Sequence, residues 1–586
     1  MSKNEENSND SAVTRRGLMA LAGLAGLGIA GTNSASAASS TYLELNGSNS
    51  MNADLDVGGY NVVNTGDIFL GDDILAQTKF ASFSTYGQGD GKVQIWDVSN
   101  SQHLVRANEG GPVDIGTDLN ISEGGLSINN WKIVDMVEAG ADPTGNEAID
   151  TILENEASDN TLLVFPKGTY RLDSSFELNA DYSKFGMIGQ PHATFEIANN
   201  LGRPAIYIGG STAPDELILR NITVDIGTNG VDAPALHAFA KNKLDVDTFD
   251  LEGARNSNKV SGWIETVMVG VTCNPDSGGN PTERGFAHVK NLHLPDGGNY
   301  LSGNGQTGQF IGIGSVDPDK VGQINSQYGI HRGTMVFDSC YVEGFRNNGL
   351  YVSGYPGNVH VRDSHLKNNG LTNIRLSDGD SARDCRIEID DNTLDSGGNQ
   401  NPEAMALWGQ EGDVLFENIE IERTSGTNRL LRDAIDGYET VFRDIDIVDN
   451  GTGDVLEFTH GGDVVLENVR VDKNAGSSYT SRIIDSATTN VTLKNVRYNS
   501  TARGIVFRNI EKVSVHDSSF DANNYAIEVK DTRSTKKLIF ENNLVESGTF
   551  IWYSGRLGAI RDNHFKGNVS LQASPTKQDV SNNLGY

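Results

Sequence analysis

Apolar and polar residues alternate over short segments along most of the chain, and one six-residue pattern keeps returning. It runs apolar, variable, Asn or Asp, small or apolar, variable, apolar. The interval between copies is roughly 20 to 28 residues in the C-terminal half, which is the period of a solenoid coil. Copies occupy residues 361–366, 389–394, 416–421 and 442–447, later ones are centred on Asn468, Asn495, Asp517, Asn542 and Asp562, and earlier ones on Asn221, Asn291 and Asp338.

A second short strand accompanies the pattern in each coil, for example at residues 350–352, 374–376 and 527–529. Stacked coils can close a core that one coil cannot. Asn and Asp suit the corner because they tolerate left-handed backbone angles, and stacking predicts a ladder of their side chains inside the turn. Helical periodicity is nearly absent. The pattern therefore predicts an all-β, right-handed, single-stranded parallel β-helix.

Residues 131–172 contain a recognisable motif. Gly-Ala-Asp-Pro-Thr-Gly at 140–145 leads into a helix-like segment at 146–157, and then into Val-Phe-Pro-Lys-Gly-Thr-Tyr at 164–170. This arrangement resembles the opening of the pectate lyase superfamily of β-helices, which includes many phage tailspikes. The resemblance implies a capping helix at the start of a β-helix that spans 131–586. It also implies a fold shared by polysaccharide lyases, hydrolases and epimerases, although fold alone does not specify function.

The stretch 38–130 has a different character. Residues 51–64 are similar to a phrase in tail-fibre and tailspike proteins, and residues 114–121 continue with short strands punctuated by glycine. The resemblance implies a small β-rich region for attachment or oligomerisation, with a homotrimer as the expected assembly. The alternative is a glycine-rich linker with isolated strands.

The composition points to very salty water. The formal net charge is −32, from 78 Asp and Glu against 46 Lys and Arg, and the acidic residues are dispersed rather than blocked. Such a balance excludes non-specific nucleic-acid binding, which needs basic clusters. Dispersed acid keeps a protein hydrated when salt screens the repulsion between its charges. We interpret the surface as halophilic, with an ordinary acidic secreted protein as the alternative.

The first 37 residues predict export. Thr14-Arg15-Arg16-Gly17-Leu18-Met19, an apolar stretch and Ala35-Ser36-Ala37 form a twin-arginine (Tat) signal of the haloarchaeal type with a cleavage site. No further stretch is long enough to predict a membrane span. Cys273, Cys340 and Cys385 fit no disulfide framework or metal site. Glycosylation acceptor motifs, consistent with a secreted glycoprotein, begin at Asn46, Asn120, Asn450, Asn499 and Asn568.

Equal positions on successive coils stack, so a site in a solenoid is assembled from neighbouring coils. The outward position of the second strand reads His237, Glu265, Gly312, Tyr351, Arg375 and Ala406. We expect a catalytic set of His237, Glu265, Tyr351 and Arg375 suited to β-elimination on a uronate polymer. Arg375 would neutralise the carboxylate, Tyr351 or His237 would move protons, and Glu265 would orient the substrate or bind a cation.

Two insertions predict a wall beside this set. Residues 271–286 and 296–332 lengthen adjacent coils, and long insertions on a regular scaffold commonly build binding sites. We expect His331 and Arg332 at the lip of the resulting groove. Asp378 and Trp408 complete the predicted substrate-binding residues: Asp378 could pair with Glu265 in a hydrolase, and Trp408 could stack on a sugar ring.

Complete signatures of known β-helix enzymes are missing, so two functions stay open. One is a secreted protein that cleaves an extracellular acidic polysaccharide as a lyase or hydrolase. The other is a non-catalytic surface adhesin or structural spike that binds glycans. The sequence predicts no cofactor or metal. Acidic loops such as 317–319 and 378–380 have the oxygen ligands that Ca²⁺ prefers, but a halophilic surface explains them more simply.

Overall fold

The computed structural model describes five short strands before residue 130 and most of the chain from 131 onwards. The predicted signal at 1–37 lies outside the described residues. From 131 the description omits 202, 228–232, 257–264, 275–279, 281, 283–284, 300–310, 316–328, 352–356, 391–401, 409–411, 434–437, 459–461, 477–478, 485–487, 531–536, 553–556, 572–576 and 586.

The chain separates into two units, Met1–Ser122 and Glu123–Tyr586. The described part of the first unit is an antiparallel four-stranded sheet in sequence order. Its strands are Phe83–Tyr86, Lys92–Asp97, Gln102–Ala107 and Val113–Ile115.

The second unit is the predicted right-handed parallel β-helix. Its coils contribute to two long sheets, which are parallel apart from one antiparallel pair at the start. We call the first the corner sheet, because its strands pass a sharp corner. It comprises Ser127–Ile128, Trp131–Asp135, Thr144–Ala148, Thr161–Leu172, Lys184–Ile197, Glu216–Asp225, Lys243–Glu252, Phe286–Leu294, Thr334–Asp338, Tyr341–Glu343, Asn358–Arg362, His365–Lys367, Ser381–Ile389, Asp413–Arg423, Tyr438–Asp449, Gly462–Lys473, Thr488–Lys494, Arg497–Ser500, Lys512–His516, Ser519–Ala522, Lys537–Glu541, Leu544–Val545, Leu557–Arg561, His564–Phe565 and Lys577–Ser581.

The second sheet, which we call the flat sheet, has fifteen strands and faces the corner sheet across the core. A short pair, Arg255–Asn256 with Gly298–Asn299, lies outside both sheets. The strands of the flat sheet are Phe176–Leu178, Ile206–Ile208, Leu236–Ala240, Glu265–Val271, Ile311–Gly314, Leu350–Tyr351, Thr372–Leu376, Glu403–Leu407, Leu431–Asp433, Leu456–Phe458, Tyr479–Ile484, Arg503–Arg508, Tyr525–Lys530, Thr549–Trp552 and Asn568–Leu571.

One helix, Asp150–Glu156, occurs among the described residues, within the segment that the sequence motif predicted for the cap. It packs Leu153 against the first coil, next to Ile149 and Met136, all fully buried. Beyond this cap a single apolar core runs through the stacked coils. Cys273, Cys340 and Cys385 are buried and form no disulfide bond with one another, and burial raises the pKa of Cys340 and of Cys385 to about 12.

From Asn221 onwards each described corner turns on one residue with a positive φ, at Asn221, Asn291, Asp363 and Asn418 among others. These positions confirm most of the repeat assignment. Four coils differ from it. The coil assigned to residues 389–394 turns at Asp384, the one assigned to Asp338 turns at Ser339, and Thr248 and Asn582 turn coils without a predicted copy.

The hydroxyl groups at the two unusual corners replace the missing carboxylate or amide. Thr248 donates to Asp247 Oδ1 at 3.1 Å, and Ser339 donates to Asp338 Oδ1 at 2.8 Å. The backbone requires only a left-handed residue, and a neighbouring side chain can supply the local hydrogen bond. Asn and Asp therefore mark most corners in the sequence, but other residues can also form a corner.

Two side-chain ladders run along the corner. The corner residues themselves form the outer, exposed ladder, in which Asn468 Nδ2 donates to Asp444 Oδ1 at 2.8 Å. The ladder inside the turn belongs to the next residue, one position later than predicted. There Asn563 Oδ1 accepts the backbone N–H of Asn543 at 2.8 Å, and Asn583 Oδ1 accepts that of Asn563 at 3.0 Å.

The residues one position before the corner form a charged row, whose members make ion pairs with those of neighbouring coils. Arg443 reaches Glu417 at 2.9 Å and Glu467 at 3.2 Å, and Lys494 reaches Glu467 at 2.8 Å. Charges of alternating sign on successive coils thus pair with one another along the stack. Arg383 belongs to the same row, in register with Glu417.

A second set of charges is buried on the far side of the corner. Arg423, Asp449 and Lys473 are at most 1% exposed and stack on three successive coils. Both cations donate to the Asp449 carboxylate at 2.7 Å, and Lys473 Nζ also donates to the Gly453 carbonyl at 2.8 Å. The shared carboxylate is what makes two buried cations tolerable.

We expect Asp449→Asn to lower the free energy of unfolding by about 3 to 5 kcal/mol, because it leaves two buried cations without a counter-charge. Urea denaturation measures the change. The control is Glu467→Gln in the partly exposed row, where the expected loss is about 0 to 1 kcal/mol. Equal losses in both variants would contradict the role assigned to the buried carboxylate.

Candidate functional site

The outward residues of the flat sheet form one column along the coils. Its register runs from Tyr207 through His237, Met268, Gly314, Tyr351, Arg375 and Ala406 to Arg432 and Glu457. Met268 and Gly314 therefore occupy the two positions predicted for Glu265 and Gly312, and that part of the assignment is wrong. Because long insertions separate these strands, the sequence alone does not show which residues of each strand face outwards.

His237 lies in the column but is completely buried. Its ring packs 4.4 Å from the ring centroid of Tyr207 and 5.0 Å from that of Phe239. Burial lowers its pKa to about 3, so the imidazole is neutral. Three coils separate it from Tyr351, which at the usual strand spacing is about 14 Å. The two residues cannot act on one sugar ring.

Glu265 lies against the column although it is not a member of it. Its Cγ atom is 2.6 Å from the position that a Cβ atom would take at Gly314, so the glycine leaves the space that the glutamate fills. The residue is only 5% exposed. Arg255, fully buried, donates to the Glu265 carbonyl oxygen at 3.2 Å and holds this strand in place.

Tyr351, Arg375 and Trp408 are brought together. The guanidinium carbon of Arg375 lies 4.3 Å from the centre of the Tyr351 ring and 4.5 Å from that of Trp408. Arg432 approaches the same indole ring at 5.3 Å. Trp408 is 39% exposed and the other three are partly exposed. We call these four residues the aromatic–arginine column.

His331 and Arg332 lie inside the coil, not at a lip, and both are at most 2% exposed. His331 Nδ1 accepts the backbone N–H of Val271 at 3.2 Å, and its Nε2 lies 3.2 Å from the Asn358 carbonyl oxygen. Burial lowers the pKa of His331 to about 4. The expected position is corrected: these side chains satisfy backbone groups between coils. Most of the inserted segments, 275–279, 300–310 and 316–328, lies outside the described residues.

Asp378 is exposed in the turn after strand Thr372–Leu376. Its neighbour Asp380 is buried and accepts the backbone N–H groups of Val359 at 2.7 Å and Ser377 at 2.8 Å. Burial raises the pKa of Asp380 well above its ordinary value, with Asp378 adding repulsion. Asp380 thus closes the turn, and Asp378 stands outside it.

A second outward column lies on the corner sheet, just past the corner. Its register runs through Asp250, His293, Tyr341, His365 and Arg386 on five successive coils. We call these five residues the histidine–tyrosine column. Each stands two residues after its corner residue, at the second variable position of the repeat. Comparing that position from coil to coil would have revealed the column in the sequence.

The members of this column contact one another. The Tyr341 ring lies 5.3 Å from the His293 ring and 5.1 Å from the His365 ring, between centroids. His293 Nδ1 is 4.0 Å from Asp250 Oδ1. His192, two coils earlier, lies 3.8 Å from Asp250 Oδ2 and 2.6 Å from Oγ1 of Thr223, the residue in register with Asp250 on the coil between them. Polar side chains therefore adjoin one another from His192 to His365.

A parallel row of charges flanks the column. Glu343, Lys367 and Glu388 stand in register, and Lys367 Nζ is 3.5 Å from Glu343 and 3.9 Å from Glu388. The Tyr341 hydroxyl donates to Glu343, and His365 Nε2 lies 3.4 Å from Glu388 Oε2. Each proton-transfer group in the middle of the column thus has a carboxylate partner.

Burial and the adjacent Glu343 carboxylate raise the pKa of Tyr341, which keeps its phenol protonated at neutral pH. The pKa of Asp250 is also raised by burial, against the opposing effect of His293 and His192. At neutral pH Tyr341 therefore carries the phenolic proton that a general acid must donate.

Beyond Arg386 the column continues as Glu420, Asp446 and Arg470. These residues line a depression of about 350 Å³. Within the part of the chain that the structure describes, no group of three or more His, Cys, Asp or Glu side chains is arranged to hold a metal ion. No helix in that same part is long and apolar enough to cross a membrane.

Comparison with known proteins gives remote likenesses only. No protein family and no curated protein matches the chain in sequence. Among solved structures, it is similar to an N-terminal fragment of bacteriophage phi29 gene product 12, with 12% identity, 77% of this chain and 93% of that one covered, and a TM-score of 0.35.

Two further structures are similar over 77% of this chain. The Streptococcus pneumoniae surface protein and adhesin PfbA has 11% identity and a TM-score of 0.31, with 100% of its chain covered. The A-module of Azotobacter vinelandii mannuronan C-5 epimerase AlgE6 has 10% identity and a TM-score of 0.21, with 98% covered. At these scores none of them bears on function, which is argued below from this chain's own residues.

We expect His237→Phe to flatten the loss of stability in acid. His237 has a pKa of about 6.5 in the unfolded chain and of about 3 in the folded protein. Because only the unfolded chain binds this proton between the two values, stability falls as the pH drops through this window. Between pH 7 and 4.5 the variant should lose about 2 to 3 kcal/mol less than wild type. Denaturation at both pH values measures this, with Phe239→Leu as the non-titrating control. Parallel losses in His237→Phe and wild type would show that the ring is not buried and neutral.

Proposed function

We propose that this protein cleaves an acidic extracellular polysaccharide by β-elimination at the histidine–tyrosine column. The observation that carries the proposal is the stacking of Asp250, His293, Tyr341, His365 and Arg386 on five successive coils. Coils rise by about 4.8 Å, close to the length of one sugar ring in an extended chain. A polysaccharide lying along the axis would meet one of these side chains per ring.

The order of the side chains suits elimination from a uronate. Arg386 would bind the carboxylate and so acidify the neighbouring C5–H bond. His365, between Arg386 and Tyr341, would accept the C5 proton, and Glu388 at 3.4 Å would stabilise the imidazolium that forms. The released electron pair forms the C4–C5 double bond as the C4–O bond breaks. Tyr341, held protonated, would give its proton to the departing oxygen.

Neighbouring charges suggest how the polymer lies. Past Arg386, the column carries Glu420 and Asp446, which repel a polyanion. Arg386 itself lies beside Glu388 and is 3.5 Å from Glu422, so it is held in position from its far side. The uronates are therefore best accommodated between His293 and Arg386, where Lys367 and Arg386 supply positive charge.

The residues first expected to be catalytic do not support the same chemistry. His237 is buried, and Glu265 is only 5% exposed. Tyr351 and Arg375 stack on one another, but no accessible histidine follows them in the described register. The predicted hydrolase pair of Glu265 and Asp378 combines a buried residue with an exposed one. For these reasons we place the proposed reaction on the corner sheet.

The decisive assay offers the mature chain, from residue 38 onwards, a panel of uronate and neutral polysaccharides in molar salt. Ultraviolet absorbance of unsaturated products and new reducing ends are followed together. Tyr341→Phe and His365→Ala should lower kcat by about 10²- to 10⁴-fold. His564→Ala is the matched control, because His564 stands at the same register position in a late coil.

Unchanged absorbance in both column variants would refute the assignment. Reducing ends without absorbance would mean hydrolysis. Silence across the panel, with the polymers still bound, would identify a non-catalytic surface adhesin or spike.

The proposal includes export and assembly. The chain would leave the cell folded, by the Tat route, and work in brine, with residues 38–130 joining three copies. Replacing Arg15 and Arg16 by lysine should keep the precursor inside the cell, as shown by fractionation and immunoblotting, whereas Lys3→Arg should not. Export of the double variant would argue against a Tat signal.

A further inference from the structure

The aromatic–arginine column places two arginines on either side of a small residue. In the register of the flat sheet, Ala406 separates Arg375 from Arg432, so the two arginine backbones are two coils, about 10 Å, apart. Ala406 is only 3% exposed, whereas Trp408, from the same strand end, is 39% exposed and contacts both guanidinium groups.

Stacking between two aromatic rings orients Arg375. Arg375 lies between the rings of Tyr351 and Trp408, at 4.3 and 4.5 Å from their centres. The N–H donors of a guanidinium lie in its plane, so contact with its faces does not consume them. The stack therefore fixes the plane in which Arg375 presents hydrogen-bond donors, the geometry suited to a carboxylate.

Carboxylates beneath the column hold its other end. Glu403 is 1% exposed and lies 2.8 Å from Arg429 and 3.6 Å from Arg432. Arg429 also reaches Glu457 at 2.9 Å. Glu403 thus lies close to both Arg429 and Arg432, while Arg375 and Arg432 both contact the exposed indole.

The local charge is unusual for this chain. The protein has a net charge of −32, yet Arg375 and Arg432 contact one tryptophan, and with Arg429 they form a described cluster of three arginines and two carboxylates, Glu403 and Glu457. A partner that exploits this surface would be anionic and would offer flat apolar faces to the exposed part of the indole. A chain of uronates has both properties, since each ring carries a carboxylate and an apolar C–H face.

We infer that the aromatic–arginine column is a second, non-catalytic binding site for an acidic polysaccharide, in which Arg375 and Arg432 bind carboxylates and Trp408 packs against the intervening sugar. It lies on a different sheet from the histidine–tyrosine column and contains no proton-transfer pair. The choice of a uronate polymer rests on the proposed function, whereas the demand for an anion rests on the arginines alone.

The test counts binding sites on the full mature chain. Tyr341→Phe is titrated calorimetrically with uronate tetramers, from galacturonate and from mannuronate, so that no cleavage intervenes. We expect two tetramers per chain. Adding Arg375→Ala and Trp408→Ala should weaken one site by at least tenfold, the effect of losing a charge-assisted contact, and leave the other unchanged.

Arg503→Ala is the matched control. Arg503 lies 4.9 Å from the ring centre of Tyr525 on the same sheet, so it is also a stacked arginine, but it lies in later coils and should leave both sites intact. The surviving site in the Arg375 and Trp408 variant shows that the chain still folds.

The outcomes separate the two proposals. A single site that the Arg375 and Trp408 replacements do not alter overturns the second site, as does equal weakening by Arg503→Ala. Two sites, or one that depends on Trp408, in a protein that cleaves none of these polymers would refute the catalytic proposal and leave this inference standing.

Discussion

The left-handed turn at each corner is the constraint on which the rest of this molecule depends. From Asn221 onwards each described coil changes direction on one residue, and the backbone hydrogen bonds between coils require that this residue stand above its counterparts. Once the corners are aligned, every later position in the strand is aligned as well. The position of a residue relative to the corner therefore decides whether it joins the core, the charged row or the histidine–tyrosine column. In one coil, Asp363 turns the chain, Ser364 points inwards and His365 points outwards.

Polar groups in this fold are therefore placed by the corner, in three different environments. At the corner, exposed amides such as Asn468 pair with their neighbours in water. One residue later, buried Asn563 satisfies backbone groups that no strand can reach. At the end of the corner strand, Asp449 joins two buried cations. Salt screens the first environment and barely affects the other two, so the interior networks are the ones that persist at high ionic strength.

The sequence was sufficient for the fold because the corner pattern recurs often enough to be recognised even where Thr248 or Ser339 replaces it. The sequence was not sufficient where an insertion interrupts the repeat period. There the predicted outward position falls on Glu265, whereas Met268 holds it in the structure. Nor could the sequence show that His331 is enclosed, because enclosure depends on side chains from other coils. The contact between Tyr351 and Arg375 was within reach, since both share one phase, and Trp408 was recognised only as a separate aromatic.

The inner asparagine ladder has an implication for how such a protein can change length. Asn563 donates through its side-chain amide to the Phe540 carbonyl and to Asn583 Oδ1 of the next coil, and its own Oδ1 accepts the backbone N–H of Asn543. Each rung thus joins neighbouring coils through the same set of hydrogen bonds. Duplication or deletion of one whole coil among these recreates the same joint between new neighbours. Gene segments encoding single coils could therefore be gained or lost without redesign, altering the protein's reach in steps of one coil.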